Sequence, residues 1–390
     1  MKSADYTLLV VDDNEDNRYT LTHRLKRQGY TNLTTAADGR QALDLLRAGR
    51  FDLVLLDIMM PELNGYQVLE QMKGDPRLRD IPVIMISAVD ELESVIRCIE
   101  LGAEDYLPKP FNPTLLKARI GASLEKKRLR DQAMAYLARL EAELNSARDI
   151  QMSMVPAVFP PPTPARPVTI YATLQPARQV GGDLYDFFYT DDGRLWFLIG
   201  DVSDKGAPAA LFMARSKTLV RMVATLLRGP HGGPPGSHEV MARVNDELCR
   251  DNSMCMFVTL LLGVLDPTSG ALQCCNAGHL VPYRVGRSGV EVLKVPRGKP
   301  LGIRAGSAYD SATGTLSPGE GLFLFTDGVT EAMDADGNLF SAERLEDTLR
   351  AVGTGEPTMV VAAVMGKVRD FTAAAPPSDD VAALAVCLRT

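Results

Sequence analysis

A proline-rich segment that follows a long stretch without helix breakers constrains the fold of this 390-residue chain more than any other feature. Residues 124–155 contain neither Gly nor Pro and favour a helix, whereas residues 156–167 contain six prolines. Proline fixes φ and lacks a backbone donor, so the second segment is expected to be extended. We therefore predict a helical linker over 124–155 and an extended connector over 156–167. Separately folded regions are predicted over 1–123 and 168–390, because a chain of this length favours two or three domains.

The composition excludes several classes of protein. Hydrophobic residues make up 46% and charged residues 23% of the chain, which is typical of globular proteins. The net charge is −7, whereas a general nucleic-acid-binding protein is usually basic. No apolar run reaches the roughly 18 residues that a membrane-spanning helix needs, and the N-terminus lacks a signal-peptide pattern. The six cysteines show no C-x-x-C spacing, so we expect reduced thiols in a cytoplasmic protein without nucleic-acid partners or membrane insertion.

Region 1–123 alternates short apolar strands with helical windows, which predicts a doubly wound α/β sheet of five parallel strands. The predicted strands are 8–11, 33–36, 53–56, 83–86 and 105–107, and the predicted helices are 15–28, 40–48, 65–73 and 91–101. In such sheets ligands bind at the carboxyl ends of the strands.

Polar residues follow four of the predicted strands. Asp12 and Asp13 follow the first strand, Asp57 the third, Ser87 the fourth and Lys109 the fifth. Three neighbouring carboxylates repel one another and favour a hard divalent cation such as Mg²⁺. The metal and Lys109 would neutralise incoming phosphate oxygens, and Asp57 would attack phosphorus as a carboxylate nucleophile.

The motifs around these residues resemble the receiver domain of two-component response regulators, over residues 5 to about 122. The resemblance rests on VVDDNEDN, LVLLDIMMPELNGYQVL, VIMISA and DYLPKPF. It implies a flavodoxin-like fold and phosphorylation of Asp57 by a histidine kinase or phosphotransfer protein. It also implies that Asp13 and Asp57 bind Mg²⁺ directly, with Asp12 acting through water and Met59 supplying a backbone carbonyl.

The same resemblance assigns roles to the remaining polar residues of this region. Lys109 would pair with the phosphoryl group, and the Lys109–Pro110 bond would be cis. Ser87 and Tyr106 would reorient on phosphorylation.

A heptad pattern runs through the predicted linker. Apolar or small residues are spaced alternately by four and three, with one polar interruption, at Ala133, Leu137, Leu140, Leu144, Ala147, Gln151 and Met154. This spacing favours a parallel coiled coil and therefore a homodimer. The alternative is a single amphipathic helix packed on one domain.

Region 168–390 contains four acidic motifs beside apolar strands. They are VGGDLYD (180–186), GDVSDKG (200–206), FTDGVTE (325–331) and SDDV (378–381). Carboxylates from distant segments, without a His or Cys cluster, favour Mg²⁺ or Mn²⁺. Two such ions can activate a water molecule and bind a phosphoryl oxygen.

Together with CNAGHL (275–280), these motifs resemble the PPM class of metal-dependent serine/threonine phosphatases, in particular the bacterial SpoIIE/RsbU branch. The resemblance implies an α+β fold in which a β-sandwich of two antiparallel sheets is flanked by helices, with two Mn²⁺ or Mg²⁺ ions at one end. The implied substrate is phosphoserine or phosphothreonine on an anti-sigma-factor antagonist. The implied ligands are Asp183, Asp201, the backbone carbonyl of Val202, Asp327, and Asp379 or Asp380, with Asp379 favoured.

Three nearby residues have weaker interpretations. Asp186 and His279 are expected to be structural, and Arg178 is a candidate phosphate-binding group. A response regulator with phosphatase output is therefore the predicted function. The alternatives are a catalytically weak phosphatase-fold module that sequesters a partner and a diguanylate cyclase, suggested by Gly181-Gly-Asp183. Mn²⁺-dependent hydrolysis of a phosphoprotein distinguishes them.

Overall fold

The protein is described here from a computed structural model that covers residues 3–88, 92–229, 233–373 and 375–389. The chain divides into two compact units, Met1–Leu140 and Glu141–Thr390, called the N-terminal and C-terminal units below. No helix in the described ranges combines the length and apolarity needed to cross a bilayer.

The N-terminal unit contains one parallel five-stranded sheet in the order β2–β1–β3–β4–β5. Its elements are β1 (Thr7–Val11), α1 (Glu15–Arg27), β2 (Asn32–Ala36), α2 (Gly39–Ala48), β3 (Leu53–Asp57), α3 (Gly65–Gly74), β4 (Val83–Ser87), α4 (Leu92–Glu100), β5 (Asp105–Pro108) and the start of α5 (Pro113–Met154). The predicted doubly wound α/β fold is confirmed, and the element bounds agree within one residue. Residue 91, predicted to begin the fourth helix, lies outside the described residues.

Burial explains why these strands could be predicted from the sequence. The strands β3 and β4 are buried along their whole length, since each sheet face packs against an apolar core. The edge strand β2 is largely polar and partly exposed. Polar caps begin the helices: Asn14 caps α1, and Asn64 forms a capping box with Gln67 at α3.

The helix α5 is continuous over 42 residues. It begins at Pro113, its residues Leu116, Ile120 and Leu124 pack into the core of the N-terminal unit, and it continues without a break into the predicted linker. Most later side chains are exposed, including Leu137 of the predicted seam at 59%. The linker is thus a continuation of the last helix of the N-terminal unit.

The proline-rich segment 156–167 forms no helix and has one short bridged turn, between Thr163 and Arg166. After it, the C-terminal unit forms two antiparallel five-stranded sheets. Their orders are β13–β10–β9–β8–β7 and β12–β11–β14–β15–β6. The strands are β6 (Val168–Gln175), β7 (Leu184–Tyr189), β8 (Leu195–Val202), β9 (Val258–Leu265), β10 (Ala271–Ala277), β11 (Tyr283–Gly286), β12 (Gly289–Val292), β13 (Ser311–Thr315), β14 (Gly321–Phe325) and β15 (Val381–Leu388).

Helices cover both outer faces of these sheets. They are α6 (Ala207–Leu226), α7 (Ser237–Cys249), α8 (Asp327–Thr330), α9 (Ser341–Val352) and α10 (Pro357–Thr372). One apolar core lies between the sheets and includes Phe197 and Leu384. A second core joins α6 and α7 to the first sheet, and a third joins α9 and α10 to the second. The predicted β-sandwich flanked by helices is confirmed.

The strand β15 is an interior strand of its sheet, next to the edge strand β6. It pairs with β14 on one side and, over all eight of its residues, with β6 on the other. The edge strand β6 pairs with β15 alone among the described strands.

Candidate functional site

The carboxyl ends of β1 and β3 bring three acidic side chains of the N-terminal unit together. Ligand oxygens of Asp12, Asp13 and Asp57 all lie within 4.8 Å of one another. Asp12 and Asp57 are buried and Asp13 is exposed. In the part of the chain that the structure describes, no other group of three His, Cys or acidic residues meets that spacing. An all-oxygen cluster of this kind fits Mg²⁺.

Lys109, after β5, contacts two of these carboxylates. Its Nζ lies 2.8 Å from Asp12 Oδ2 and 2.9 Å from Asp57 Oδ2. Burial opposes the charged form of Lys109, but the hydrogen bonds to Asp12 and Asp57 outweigh it and raise the pKa of the ammonium. Burial also raises the pKa of Asp57, against the opposing effect of Lys109. The cluster therefore contains its own compensating cation.

The other predicted residues of this region lie around the cluster. Ser87 ends β4 and is buried, and its backbone carbonyl accepts a hydrogen bond of 2.7 Å from the Lys109 N–H. Tyr106 lies on β5 and is 9% exposed. Met59 lies in the loop after β3, with its side chain exposed. The Lys109–Pro110 peptide bond is cis, as the resemblance implies.

In the C-terminal unit, the four acidic motifs meet at one end of the sandwich. Asp183 directly precedes β7 and Asp201 lies near the end of β8; these strands are antiparallel neighbours. Asp327 follows β14 and Asp380 directly precedes β15, which is again an antiparallel pair. Strand pairing thus places acids separated by up to 197 positions (380 minus 183) at one end of the fold.

The two central acids interact through their charges. Asp183 is buried, and its carboxyl lies near enough to that of Asp201 for each to affect the pKa of the other. Burial and then the charge of Asp201 raise the pKa of Asp183 well above its usual range. Burial and then the charge of Asp327 raise the pKa of Asp201 to about 7. Closely placed buried carboxyls with raised pKa values are a donor set that fits divalent cations.

Thr326 orients Asp183. Its Oγ1 donates a hydrogen bond of 2.7 Å to Asp183 Oδ2 and accepts one of 2.8 Å from the backbone N–H of Ala382. This buried hydroxyl therefore ties the carboxylate to β15 of the opposite sheet. Sequence reasoning did not identify Thr326, although it lies inside the FTDG motif.

Asp379 and Asp380 have different environments. Both oxygens of Asp380 accept backbone hydrogen bonds, from Ala177 N at 2.8 Å and Gly182 N at 2.7 Å. A Cβ atom on Gly181 would lie 2.1 Å from Asp380 Oδ2, so glycine is required for this approach. Asp379 is partly exposed and contacts the Nζ of Lys205 at 3.0 Å. These contacts make Asp379 the better ligand candidate and Asp380 a support for the loop before Asp183.

The C-terminal acids are more widely spaced than those of the N-terminal unit. Within the described ranges, no three of them bring ligand oxygens within 4.8 Å of one another. Val202, the predicted carbonyl ligand, lies beside them: a Cβ atom on Gly182 would lie 2.8 Å from its carbonyl oxygen.

The structure gives Asp186 and His279 structural contacts. Asp186 is fully buried and pairs with Lys217 at 3.1 Å and Arg221 at 2.5 Å. His279 joins the two sheets, since its Nδ1 lies 2.9 Å from Thr259 Oγ1 and its Nε2 lies 3.2 Å from the carbonyl oxygen of Phe325.

Burial lowers the pKa of His279 to about 4, so the imidazole is neutral at pH 7. Arg178, the candidate phosphate-binding group, has an exposed side chain.

Gln151 of α5 makes a contact that the heptad pattern did not predict. Its side chain is 4% exposed, donates to the Gly181 carbonyl at 2.6 Å and accepts from the Gly181 N–H at 3.2 Å. The polar interruption of the seam is therefore a buried contact to the loop that leads into Asp183.

Comparison with known families identifies the family to which the chain belongs. Residues 191–389, just over half of it, match the family described as Stage II sporulation protein E (SpoIIE). The chain belongs to the SpoIIE family. Residues 8–121 match the response regulator receiver domain, so this SpoIIE-family chain also carries a receiver domain. The two resemblances inferred from the sequence are confirmed.

Individual relatives cover parts of the chain. Protein IcfG of Synechocystis sp. is 32% identical over 229 residues, which are 54% of this chain and 36% of that protein. The probable transcriptional regulator ycf27 of Guillardia theta is 44% identical over 119 residues, 30% of this chain and 45% of that protein. The chain thus spans less than half the length of these curated relatives.

The SiaA-PP2C domain of Pseudomonas aeruginosa has a similar structure. It aligns with a TM-score of 0.55 at 19% identity, covering 66% of this chain and 99% of that domain. This likeness supports the fold of the C-terminal unit.

Proposed function

We propose that this protein is a response regulator whose output is metal-dependent dephosphorylation of phosphoserine or phosphothreonine on a partner protein. The observation that carries the proposal is the meeting of the acidic motifs at one end of the SpoIIE-family sandwich, where Thr326 of one motif is hydrogen-bonded to the buried Asp183 of another. The expected substrate is an anti-sigma-factor antagonist. A histidine kinase or phosphotransfer protein would phosphorylate Asp57.

Each acidic residue would have a distinct task in the reaction. Asp183, Asp201, Asp327 and Asp379 would bind two Mn²⁺ or Mg²⁺ ions, with the carbonyl of Val202. When bound, such ions supply the positive charge that neutralises phosphoryl oxygens and makes water more acidic. Thr326 fixes the carboxylate of Asp183 through its 2.7 Å hydrogen bond. Asp380 keeps the loop 177–182 in place through two backbone hydrogen bonds.

Control by the receiver domain would run through α5. This helix is uninterrupted from Pro113 to Met154, and Gln151 near its end contacts Gly181, two residues before Asp183. A change in α5 on phosphorylation of Asp57 would therefore reach the metal-binding loop through a direct contact. We expect a shift in the population of two loop conformations.

A homodimer is proposed on the exposed face of α5. Leu137, Leu140 and Leu144 have exposed side chains at heptad spacing, and Leu137 is 59% exposed. Burial of this face against a second copy would remove apolar surface from water. Analytical ultracentrifugation of the full chain and of Leu137→Glu/Leu144→Glu tests this, with a monomeric variant as the expected result.

Activity measurements test the central proposal. Wild type, Asp201→Asn and Asp57→Asn would be compared on p-nitrophenyl phosphate and a phosphothreonine peptide with Mn²⁺, with and without acetyl phosphate. We expect Asp201→Asn to abolish hydrolysis and Asp57→Asn to abolish only the response to acetyl phosphate. Equal background rates in all three proteins would favour the alternative, a catalytically weak module that sequesters a partner.

A matched pair of variants assigns the last ligand. Asp379→Asn is expected to lose Mn²⁺-dependent hydrolysis with little change in thermal stability. Asp380→Asn is expected to lower the melting temperature, because Asn keeps only one acceptor oxygen and one of the two backbone N–H groups then faces an NH2 donor. The reverse pattern would make Asp380 the ligand.

A further inference from the structure

A basic cavity lies in the C-terminal unit, in the segment between β12 and β13. It has a volume of about 520 Å³ and is lined by residues of the stretch 296–310. Three cations, Arg297, Lys299 and Arg304, line it, with Asp310 as the acid on its wall. The site of the four acidic motifs does not include these residues.

The three cations are available to a ligand. All three side chains are exposed, and none forms an ion pair within 4.0 Å with an acidic residue in the described ranges. Arg297 donates one hydrogen bond to the Gly278 carbonyl at 2.9 Å. Its remaining guanidinium donors are available to a ligand. A concentration of unpaired positive charge is notable in a chain whose net charge is −7.

The walls of the cavity are fixed by hydrogen bonds. Gly298 N donates to the Asn276 carbonyl at 2.8 Å, and Gly306 N donates to Asp246 Oδ1 at 2.8 Å. The Asn245 side chain donates to the Arg304 carbonyl at 2.8 Å. The cations are therefore displayed from an ordered backbone, which lowers the entropy that binding has to overcome.

The cavity lies close to the candidate metal site. Val202 pairs with Val258 in adjacent strands, and Val258 exchanges backbone hydrogen bonds with Leu301. Two strand spacings place Leu301 about 10 Å from Val202. An extended peptide advances about 3.3 Å per residue, so a residue three to five positions from a phosphorylated residue in the metal site would reach the cavity.

We propose that this cavity binds an acidic stretch of the phosphoprotein substrate, three to five residues from the phosphorylated residue. The proposal rests on the proposed phosphatase function and adds a selection for substrate sequence. The carboxylates of the stretch contact Lys299 and Arg304, and Arg297 supplies further donors. The same three cations disfavour a basic stretch at this place, since like charges repel.

Two phosphothreonine peptides of equal length test the proposal on the full chain with Mn²⁺. One carries Glu and the other Gln at positions three to five on either side of the phosphothreonine. The variant is Lys299→Gln/Arg304→Gln. The matched control is Arg287→Gln/Lys367→Gln, which removes one lysine and one arginine at exposed positions outside the cavity.

The proposal predicts that the cavity variant raises KM for the acidic peptide about five- to tenfold, as expected for two screened ion pairs, with kcat unchanged. KM for the neutral peptide and the rate on p-nitrophenyl phosphate should change less than about twofold, and 1 M NaCl should abolish the preference. An equal KM for both peptides in wild type, or an equal KM increase for both in the variant, overturns the proposal.

A failure of the proposed phosphatase function can be distinguished from a failure of the proposed acidic-segment site. If neither wild type nor the variants hydrolyse any substrate, fluorescence anisotropy with the same two labelled peptides tests whether the cavity binds the acidic peptide. Tighter binding of the acidic peptide by wild type and by the control variant, but not by the cavity variant, supports the cavity as an acidic-segment site. Equal binding of both peptides refutes it.

Discussion

In the N-terminal unit, the carboxylates of Asp12 and Asp57 contact the ammonium of Lys109 at 2.8 and 2.9 Å. In the C-terminal unit, the charge of Asp201 raises the pKa of Asp183, and within the described ranges no Lys, Arg or His lies within 4.0 Å of either carboxylate. Two neutral groups join the two sheets at that end, the imidazole of His279 and the hydroxyl of Thr326. The N-terminal cluster has a cation between two of its buried acids, whereas among the described residues the two central acids of the C-terminal cluster have none, and Lys205 pairs instead with the partly exposed Asp379.

The repulsion between neighbouring carboxylates is therefore offset differently in the two clusters. Lys109 reduces the repulsion among its neighbours without any added ion, so the receiver cluster is expected to persist when divalent ions are removed. Asp183 and Asp201 must instead bind protons or metal, which their raised pKa values indicate. The C-terminal cluster should therefore respond far more strongly to chelation than the receiver cluster.

The largest expected effect follows from Asp183→Asn. Mn²⁺-dependent hydrolysis of p-nitrophenyl phosphate should fall about 1000-fold, the upper end for the loss of one group that stabilises transition-state charge. Labelling of Asp57 by acetyl phosphate, followed by intact-protein mass spectrometry, should not change. A parallel loss of Asp57 labelling would show that the two clusters are not independent.

Metal binding can be followed in the same variant. Trp196 is the single tryptophan and is buried in β8, so its fluorescence reports unfolding of the C-terminal unit. At 100 times its dissociation constant, Mn²⁺ should raise the melting temperature of wild type by about 5–10 °C and that of Asp183→Asn by much less. Equal shifts would contradict the ligand role.

The next effect concerns pH and His279. Because burial lowers the pKa of this histidine from 6.5 to about 4, the unfolded chain takes up the proton first as the pH falls. The contribution of the neutral imidazole is complete above pH 6.5 and is lost between pH 6.5 and 4, by about 3 kcal/mol. His279→Gln should lack this loss.

Urea unfolding with a chelator, read by Trp196 fluorescence at pH 7.5 and 4.5, measures the effect. The carboxyls of Asp183 and Asp201 act in the opposite direction in both proteins, since their raised pKa values favour the folded state at lower pH. The difference between wild type and His279→Gln therefore isolates the histidine. Identical pH dependence would refute the neutral bridge.

Lys109→Met should have a smaller effect, confined to the receiver domain. Loss of a charge-assisted hydrogen bond to the phosphoryl group should lower the labelling of Asp57 by acetyl phosphate about 10- to 100-fold. Removal of the cation also leaves the carboxylates dependent on Mg²⁺, so the rate should become more sensitive to Mg²⁺ concentration. Lys117→Met, exposed on α5, serves as the control. Full labelling of the Lys109 variant would contradict the role of Lys109 as the cation that supports phosphorylation of Asp57.

Gln151→Ala is the mildest change. Two hydrogen bonds to Gly181 are lost, which should reduce hydrolysis about three- to tenfold and weaken the apparent Mn²⁺ affinity. The matched control is Gln132→Ala on the exposed part of α5, where Gln132 accepts a hydrogen bond from the neighbouring Arg128 of the same helix. An equal effect of both variants would point to the helix in general and not to the Gly181 contact.

Local patterns gave the receiver fold accurately. Strands such as β3 and β4 are short apolar runs that end in Asp57 and Ser87, so their limits are visible in the sequence. The helix-favouring run from about 113 to 154 is also visible in the sequence and agrees with α5, because Gly121 is exposed on the helix surface and does not interrupt it.

The acids that meet at one end of the sandwich were visible in the sequence because their motifs contain unusual numbers of Asp and Gly. Their supporting contacts were not found, because these join distant segments without any periodic signal. Asp380 reaches Ala177 and Gly182 across about 200 residues, and Gln151 looks like a heptad position until its contact with Gly181 is known. Thr326 was inside a recognised motif, but its task depends on strand pairing.

The pairing of β15 with β6 has a consequence for synthesis on the ribosome. The strand β6, the first of the sandwich, has β15 as its partner in the sheet, and residues 381–388 are translated last among the strands. At about 5–20 residues per second, the roughly 210 residues between them take about 10–40 s to emerge. During that time β6 presents an unpaired edge, whereas the receiver domain has all its strands and can already be folded. Nascent chains stalled before residue 381 are therefore the forms most exposed to aggregation and most in need of chaperones.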